Sequence, residues 1–174
     1  MEKIKKAIRT IPDFPKEGIM FRDITTLLKD ADAFKEAIDA LVEHYRHQTF
    51  DLVAGIESRG FIIAGIIAHL LGKGFIPIRK PGKLPAETYR VDYELEYGKD
   101  AVEMHKDSVS KGNRVLVVDD LLATGGTMKA ACDLVEKAGG IVTECAFIVD
   151  RPALTGRGKL QDYQIFTLVE YEGE

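Results

Sequence analysis

Cysteine is scarce in this sequence, tryptophan is absent, and there is neither a long apolar run nor an excess of positive charge. The two cysteines, Cys132 and Cys145, are too far apart in the sequence to form a CxxC motif. A chain of 174 residues buries enough surface to be stable without disulfides or structural metals. We therefore expect a reduced protein of the cytoplasm.

The apolar runs are too short for a membrane protein. The longest, residues 61–71, contains His69, whereas a helix that spans a bilayer needs about 20 apolar residues. Residues 1–12 contain no apolar segment of the kind found in secretory signals. The formal net charge is −4, whereas proteins that bind nucleic acids usually carry a basic patch. The sequence therefore predicts a protein that binds neither membranes nor nucleic acids.

Hydrophobic residues make up 45% of the chain and charged residues 30%, a balance typical of a folded domain. No repeat, low-complexity tract or linker divides the sequence, so residues 1–174 are interpreted as one domain. Short apolar runs alternate with segments of helical length, which is typical of an α/β fold with a parallel sheet covered on both faces. The predicted strands are residues 51–56, 74–78, 114–119, 141–149 and 165–169, and the helices between them include residues 59–71 and 128–138.

Two helices are predicted before the first of these strands. Apolar residues follow a helical spacing over residues 3–11, and Pro12 and Pro15 end that pattern. Asp32 is the predicted N-cap of a second, amphipathic helix. The inner face of that helix is expected to carry Phe34, Ile38, Leu41, Val42 and Tyr45.

Residues 80–99 do not fit the alternation of strands and helices. This stretch is rich in charge, proline and tyrosine, and it joins two segments predicted to be buried. Insertions of this length in compact domains commonly cover binding sites, so a mobile lid is favoured over a solvated excursion. The alternation of Tyr89, Val91, Tyr93 and Leu95 with other residues predicts a hairpin within this lid.

The strongest candidate site follows the predicted strand at residues 114–119. Ligands of parallel α/β sheets bind beyond the carboxyl ends of the strands. Asp119 and Asp120 can accept hydrogen bonds there from a vicinal diol. Residues 124–127 offer two hydroxyl groups and closely approachable backbone amides, and the next helix directs its N-terminus at the same loop. The pattern therefore predicts a site for a phosphorylated sugar.

Other phosphate-binding motifs do not match. A Walker A loop requires GxxxxGK[ST], which residues 65–73 fail and which residues 124–127 fail because they contain no lysine. No GxGxxG motif follows a predicted strand. In the simpler alternative, Asp119–Asp120 only begins a turn and Gly125–Gly126 only caps one. That alternative is disfavoured because the acids, hydroxyls and glycines occur together and in this order.

Residues 115–127 resemble the phosphoribosyl pyrophosphate (PRPP) signature of the type I phosphoribosyltransferases. Further segments of that family lie in order along nearly the whole chain and are most similar to those of its adenine-specific members. They are residues 11–15 (IPDFP), 18–25 (GIMFRDIT), 55–61 (GIESRGF), 78–85 (IRKPGKLP) and 95–98 (LEYG). The resemblance implies a parallel twisted sheet flanked by helices, with an N-terminal hood at residues 1–31 over the base and a flexible lid at residues 80–99.

The resemblance assigns PRPP to residues that match the family's motifs. Asp119 and Asp120 are implied to hold the ribose 2- and 3-hydroxyls. Arg59 is implied to clamp pyrophosphate from a turn, residues 57–59, where the family often has a cis peptide. Simple solvation of the lid lysines remains an alternative. The implied PRPP-binding residues are Arg59, Lys80, Lys83, Tyr97, His105, Asp119, Asp120, Ala123, Thr124, Gly125, Gly126 and Thr127.

Base recognition is implied to lie in residues 20–22. Phe21 is expected to stack on the purine while Met20 and Arg22 offer main-chain hydrogen bonds to its edge, and core packing of Phe21 is the alternative. Related enzymes for 6-oxopurines carry an aspartate near the position of Ala123, so alanine there favours a 6-aminopurine. The implied catalytic residues are Glu96, which handles a proton at adenine, Tyr97, which orients the leaving group, and Arg59.

The implied reaction is adenine plus PRPP giving AMP and pyrophosphate, a step of purine salvage. Mg²⁺ is the implied cofactor, held mainly by oxygens of PRPP and water because no carboxylate cage is visible in the sequence. A homodimer is the family's usual state. Two alternatives remain open: a phosphoribosyltransferase for another base, and a PRPP-sensing regulator without catalysis. Such regulators usually add a DNA-binding domain or a basic face.

Overall fold

A five-stranded parallel sheet forms the centre of the computed structural model, which describes residues 1–95 and 98–172. Its middle strand, β7 (Arg114–Leu122), has β3 (Leu52–Ile56) and then β4 (Gly74–Ile78) on one side, and β8 (Ile141–Asp150) and then β9 (Ile165–Glu170) on the other. A small antiparallel sheet pairs β1 (Arg9–Ile11) with β2 (Phe21–Asp23), and a hairpin pairs β5 (Thr88–Leu95) with β6 (Gly98–His105). The helices are α1 (Glu2–Ala7), α2 (Thr25–Lys29), α3 (Ala31–Tyr45), α4 (Arg59–Leu70) and α5 (Gly126–Lys137), and short 3-10 helices lie at Pro152–Leu154 and Gly156–Leu160.

Successive side chains of β7 enter two different hydrophobic cores. Leu116 and Val118 pack with residues of α1, α3 and α4, whereas Val115 and Val117 pack with residues of α5 and the β5–β6 hairpin. All four are fully buried, because a strand with helices on both faces has no solvent side. The predicted α/β fold, a parallel sheet flanked by helices, is confirmed.

The end of β7 differs from its predicted position. The strand continues to Leu122, three residues beyond the predicted end, because Asp119, Leu121 and Leu122 remain in register with β8. Asp120, predicted to follow the strand, therefore lies within its last residues beside Asp119. Helix α5 begins at Gly126 and not at residue 128, so only residues 123–125 separate the strand from the helix.

The N-terminal segment is helical over a shorter range than predicted. Helix α1 ends at Ala7, and residues 9–11 form β1 rather than a further helical turn. The β-branched Thr10 and Ile11 favour a strand, and Ile11 precedes a proline, which disfavours helical backbone. These residues pair with β2, and the two strands together with α1 and α2 make up the hood.

Helix α3 is capped by Asp30 and not by Asp32 as predicted. The Asp30 carboxylate accepts hydrogen bonds from the backbone amides of Asp32 at 3.1 Å and Ala33 at 3.0 Å. The predicted inner face is buried except for Phe34, which is partly buried against the same core. None of the helices in the described parts of the chain is long and apolar enough to cross a membrane.

The hairpin predicted within residues 80–99 is present, but its second strand extends past the predicted lid to His105. Tyr89, Val91 and Tyr93 of β5 lie on one face of the hairpin and pack against the core that contains α5. The hairpin therefore covers one side of α5. A lid function for residues 80–99 stays a prediction.

A carboxylate joins the two strands of the hood. Asp23 on β2 accepts hydrogen bonds from Nε and Nη2 of Arg9 on β1, and its other oxygen accepts from the amide of Thr25 at 2.9 Å. Chiefly because of the Arg9 bond, which outweighs the effect of burial, the pKa of Asp23 is lowered to about 2.

We expect this pair to stabilise the protein above about pH 4, the ordinary range of an aspartate pKa, and the stabilisation to be lost as the pH falls towards 2. In urea unfolding, Asp23→Asn should lower the free energy of unfolding by a constant amount at neutral pH. The difference from the wild type should shrink between about pH 4 and pH 2. Asp32→Asn, at a side chain that is 87% exposed, is the control. A difference that is independent of pH would contradict the assignment.

Candidate active site

Buried charge is concentrated at the carboxyl ends of the central strands. Among residues 1–95 and 98–172, the buried charged side chains are Asp23, Asp120, Asp150 and Arg151. Asp120 lies near the end of β7, Asp150 and Arg151 lie at the end of β8, and Asp23 lies within electrostatic range of Arg59. Because buried charges are costly unless they are paired, their concentration at one edge of the sheet indicates a functional site.

The loop between β7 and α5 borders a small cavity of about 80 Å³. Its lining includes Asp119, Phe147 and every residue from 121 to 128, and thus all of the predicted phosphate loop, residues 123–127. Gly125 has a φ of +74°, a backbone conformation that residues with side chains rarely adopt. The first turn of α5 lines the same cavity. The unpaired amides and the dipole of a helix N-terminus favour an anion there.

The 3-10 helix that begins at Gly156 supports this loop from behind. A Cβ atom on Gly156 would lie 2.2 Å from the carbonyl oxygen of Ala123 and 2.9 Å from Leu122 Cδ1. From the other direction, a Cβ on Gly125 would lie 2.4 Å from the carbonyl oxygen of Gly156. The two backbone segments are therefore in direct contact, and only glycine fits at either position.

The two adjacent aspartates differ in their partners. Asp119 Oδ1 accepts a hydrogen bond from the backbone amide of Asp120 at 2.9 Å, whereas the carboxylate of Asp120 is bound by Arg59. Burial and the neighbouring Asp120 carboxylate raise the pKa of Asp119 well above its usual range. Helix α4 approaches closely at Gly60, where a Cβ atom would lie 3.0 Å from Asp119 Oδ1. Asp119 thus lines the phosphate-loop cavity, whereas the adjacent Asp120 is held by Arg59.

Arg59 begins α4, and its side chain reaches across to β7. The distance from Arg59 Nε to Asp120 Oδ2 is 2.5 Å, and that from Nη2 to Oδ1 is 3.5 Å. Burial alone would lower the pKa of Arg59, but the hydrogen bond to Asp120 and the charges of the nearby aspartates together outweigh burial, so the pKa of the guanidinium is raised. The residue predicted to bind pyrophosphate is therefore paired with a residue predicted to bind ribose.

Glu57 holds the segment that follows β4. Its carboxylate accepts hydrogen bonds from Lys83 Nζ at 2.6 Å, from Arg79 Nε at 2.9 Å and from the amide of Lys80 at 3.1 Å. The peptide bond between Glu57 and Ser58 is cis, as the resemblance implies. Lys83, a predicted pyrophosphate ligand, is thus bound to the turn that carries Arg59.

Tyr93 connects the hairpin to the phosphate loop. Its hydroxyl accepts hydrogen bonds from Lys80 Nζ at 2.8 Å and Thr127 Oγ1 at 3.3 Å, and donates one to Asp100 at 3.1 Å. Lys80 also forms an ion pair with Asp100. The structure therefore brings Lys80 and Thr127, both predicted to bind PRPP, to the same tyrosine.

His105 is not part of this group. It pairs in register with Thr88, whereas Asp100 pairs with Tyr93. The pair of Thr88 with His105 and the pair of Tyr93 with Asp100 are five residues apart along the strands, a distance of about 17 Å. His105 Nε2 accepts a hydrogen bond from the amide of Ala86 at 3.3 Å. The structure thus places His105 at the opposite end of the hairpin from the phosphate loop.

The predicted base-binding residues lie at the start of β2 in the hood. The ring of Phe21 is partly buried and meets Phe14 edge-on at 5.1 Å between centroids. The carbonyl oxygen of Met20 accepts a hydrogen bond from Arg151 Nη1 at 2.9 Å. The guanidinium of Arg22 lies 4.1 Å from the centre of the Tyr171 ring and donates to Thr10 Oγ1. This segment is thereby attached to the ends of β8 and β9.

Comparison with known proteins agrees with this arrangement. The family model of the phosphoribosyl transferase domain matches residues 23–173. The chain belongs to the phosphoribosyltransferase family. The adenine phosphoribosyltransferase of Chlorobium phaeobacteroides (strain BS1) is 59% identical over 175 residues, which cover 98% of this chain and 99% of that protein.

Solved structures of other phosphoribosyltransferases are also similar. The adenine phosphoribosyltransferase of Thermoanaerobacter pseudethanolicus has a TM-score of 0.95 and 54% identity, covering 98% of this chain and 99% of that one. That of Saccharomyces cerevisiae, solved with adenine and D-2,5-dideoxy-2,5-imino-altritol 1,6-bisphosphate, has a TM-score of 0.91 and 40% identity, covering 97% of each chain. These similarities extend over the whole phosphoribosyltransferase domain, including the hood.

Several residues of the phosphoribosyltransferase site were not predicted from the sequence. Asp100 and Arg151 contact predicted site residues although they belong to no recognised motif, and Glu57 was predicted only as part of the turn at residues 57–59 and without a contact of its own. Tyr93 was predicted only as a hairpin residue, although its alternation with Val91 indicated the face that packs on α5. Glu96 and Tyr97, two of the predicted catalytic residues, lie outside the described residues.

Proposed function

We propose that this phosphoribosyltransferase transfers the 5-phosphoribosyl group of PRPP to N9 of adenine, giving AMP and pyrophosphate in purine salvage. The observation that carries the proposal is the meeting at one sheet edge of the phosphate-loop cavity, the Asp119–Asp120 pair and the hood. The full-length similarity to adenine phosphoribosyltransferases supports adenine as the base. The chain is an enzyme of the pentosyltransferase class.

In the proposed reaction, adenine N9 forms a bond to ribose C1 as the bond from C1 to the pyrophosphate oxygen breaks, with inversion. The transition state resembles an oxocarbenium ion, as in other glycosidic displacements. Residues 123–127 bind the 5-phosphate, and Asp119 and Asp120 accept hydrogen bonds from the ribose hydroxyls. With both substrates held in line, little covalent chemistry is left to the protein.

The leaving pyrophosphate is assigned to four residues of the turn and the lid. Arg59 binds it through a planar guanidinium, and Lys80 and Lys83 bind it as point charges. Tyr97 orients it. Each of the three cations is already paired with a carboxylate, so each exchanges that partner for pyrophosphate oxygens. His105 contributes only if the lid rearranges, because it lies at the far end of the hairpin.

Glu96 is proposed to handle the adenine proton. Adenine N9 loses its proton when it bonds to the ribose, and a carboxylate within hydrogen-bond reach accepts it. Base recognition is assigned to Phe21, which stacks on the purine, and to the main chain of Met20 and Arg22. The absence of a carboxylate at Ala123 is consistent with a 6-aminopurine.

Mg²⁺ is proposed to act together with PRPP. It prefers oxygen ligands and is commonly held by one or two carboxylates with substrate phosphates. Among the described residues, no three or more His, Cys, Asp or Glu side chains are grouped to hold a metal ion. The described residues therefore fit a metal that oxygens of PRPP and water hold in the main. When bound, Mg²⁺ neutralises charge on the pyrophosphate.

The enzyme is proposed to be a homodimer of the cytoplasm. The two buried free cysteines support a reducing compartment. On α4 and β4, Ile62, Leu70 and Phe75 are 44%, 53% and 40% exposed, an apolar surface that a second copy can cover. Sedimentation equilibrium should give twice the chain mass of 19.3 kDa, and Ile62→Glu should shift it towards the monomer. A wild-type protein that sediments as a monomer would exclude the dimer.

The function is tested by product analysis. The purified protein is incubated with Mg²⁺, PRPP and equal concentrations of adenine, hypoxanthine, guanine and orotate, and the nucleotides are separated. We expect AMP as the dominant product. In the variant Glu96→Gln, the rate of AMP formation should fall far more than the affinity for PRPP, which calorimetry measures. Another nucleotide as the main product would exclude adenine specificity. PRPP binding without any nucleotide would favour the regulatory alternative.

A further inference from the structure

Arg151 is a buried arginine that connects the central sheet to the hood. Its side chain is at the end of β8 and is only 5% exposed. Its Nη1 donates to the carbonyl oxygen of Met20, 131 residues away in the sequence, at 2.9 Å. Its own amide donates to the carbonyl oxygen of Leu122 at 3.0 Å. One residue therefore links the end of β7, next to the phosphate loop, to the base-binding segment.

The same segment is attached to β8 at a second point. The Arg22 guanidinium lies over the ring of Tyr171, whose amide donates to the carbonyl oxygen of Asp150 at 3.0 Å. Both attachments thus lead to the consecutive residues Asp150 and Arg151. The pairing of β1 with β2 covers only three residues, and an isolated two-stranded sheet of this size is marginal. The position of residues 20–22 therefore depends on these contacts.

We propose that Arg151 is a positioning residue for base specificity, which orients the Met20 carbonyl towards the 6-substituent of the purine. This inference rests on the proposed function, in which the Met20 main chain meets the edge of adenine. A carbonyl oxygen has two lone pairs, and Arg151 occupies one of them. The other lone pair accepts a hydrogen bond from a 6-amino group.

The same geometry disfavours a 6-oxo group. Because the buried guanidinium fixes the Met20 carbonyl, the 6-oxo oxygen of a 6-oxopurine would face the Met20 carbonyl oxygen. Both atoms are acceptors, so neither receives a hydrogen bond from the other. A carbonyl that is free to rotate away does not impose this penalty. Arg151 thus acts on specificity through Met20, without a contact of its own to the base.

The test compares Arg151→Met with Arg151→Lys in steady-state kinetics and calorimetry. We expect Arg151→Met to raise the KM for adenine about tenfold, because a Met20 carbonyl that is no longer held in place forms a weaker hydrogen bond to the 6-amino group; a tenfold change corresponds to about 1.4 kcal/mol. The preference for adenine over hypoxanthine should fall by a similar factor. The Kd for PRPP should change less than about threefold, since the phosphate loop is intact. Arg151→Lys should restore part of the adenine affinity, because an ammonium group also donates to Met20.

Arg157→Met is the matched control. Arg157 lies in the same segment and binds the buried Asp150 at 2.6 Å, but among residues 1–95 and 98–172 its side chain bonds to β8 and β9 and not to the hood. It should lower the melting temperature without raising the KM for adenine selectively. If it raises that KM as much as Arg151→Met does, Arg151 is merely structural and the inference is wrong.

Two further outcomes are decisive. An unchanged adenine KM and selectivity in Arg151→Met would overturn the inference. If that variant does not fold, Arg151→Gln, whose shorter neutral side chain cannot replace the contact, is measured instead with the same expectation. The wild type is assayed first, so a failure of the proposed function appears as the absence of AMP before any variant is compared, and it would overturn both proposals.

Discussion

Replacing Gly156 with alanine is expected to lower kcat/KM for PRPP at least about 100-fold. The new methyl carbon would lie 2.2 Å from the carbonyl oxygen of Ala123 and 3.0 Å from its carbonyl carbon. Both are backbone atoms of the phosphate loop, so the clash is relieved only if the loop or the 3-10 helix moves. A shift of about 1 Å in a group that positions substrate is enough for a loss of this size. Overpacking should also cost about 1–3 kcal/mol of stability.

Gly158→Ala is the matched control for this steric effect. Gly158 belongs to the same 3-10 helix, and a Cβ there would have no atom within 4 Å. The control should therefore keep both the activity and the melting temperature of the wild type. Wild-type kinetics in Gly156→Ala would show that the loop does not need its support from this helix.

Asp120→Asn should weaken PRPP binding about 10- to 100-fold in calorimetry. A carboxylate only accepts hydrogen bonds, whereas an asparagine amide presents one oxygen and one donor to the ribose hydroxyls. The loss of a charge-assisted hydrogen bond accounts for this factor. Because Asp120 is 4% exposed and bound to Arg59, the substitution should also lower the melting temperature without substrate. Asp119→Asn is expected to weaken PRPP binding as well.

Asp133→Asn distinguishes a site effect from a general effect of charge. Asp133 lies on α5 in an i,i+4 pair with Lys129, and such exposed pairs contribute at most about 0.5 kcal/mol. The PRPP affinity of the Asp133→Asn variant should equal that of the wild type. If Asp120→Asn binds PRPP as tightly as Asp133→Asn does, Asp120 is not a ribose ligand.

The central sheet could be predicted because its determinants are local. Each parallel strand is an apolar run long enough to stand out, and β7 with its buried residues 115–118 is the clearest case. The predicted phosphate loop could be located in the same way, since residues 121–127 are contiguous in the sequence and line one cavity together with Asp119.

Other features depend on contacts that no local pattern encodes. The pairing of β1 with β2 involves three residues on each side, too few for a recognisable alternation. Asp30 and Asp32 are both suitable caps, and only the geometry of the helix start selects Asp30. The bond between Arg151 and Met20 joins segments at opposite ends of the chain. Such contacts arise from the packing of the hood on the sheet, which propensity and periodicity do not describe.

The ion pairs around the site have a consequence for how fast substrate arrives. Arg59 and Lys80 are paired with the carboxylates of Asp120 and Asp100, and Lys83 shares that of Glu57 with Arg79, so the pairs leave an excess of one positive charge. The long-range attraction of an anion depends on the net charge of the site. Seen from about one Debye length away, which is about 10 Å in 0.1 M salt, the fields of paired opposite charges largely cancel each other. The association rate of PRPP should therefore depend only weakly on ionic strength. In the proposed function, these three cations bind PRPP only at short range, where phosphate oxygens would displace the carboxylates.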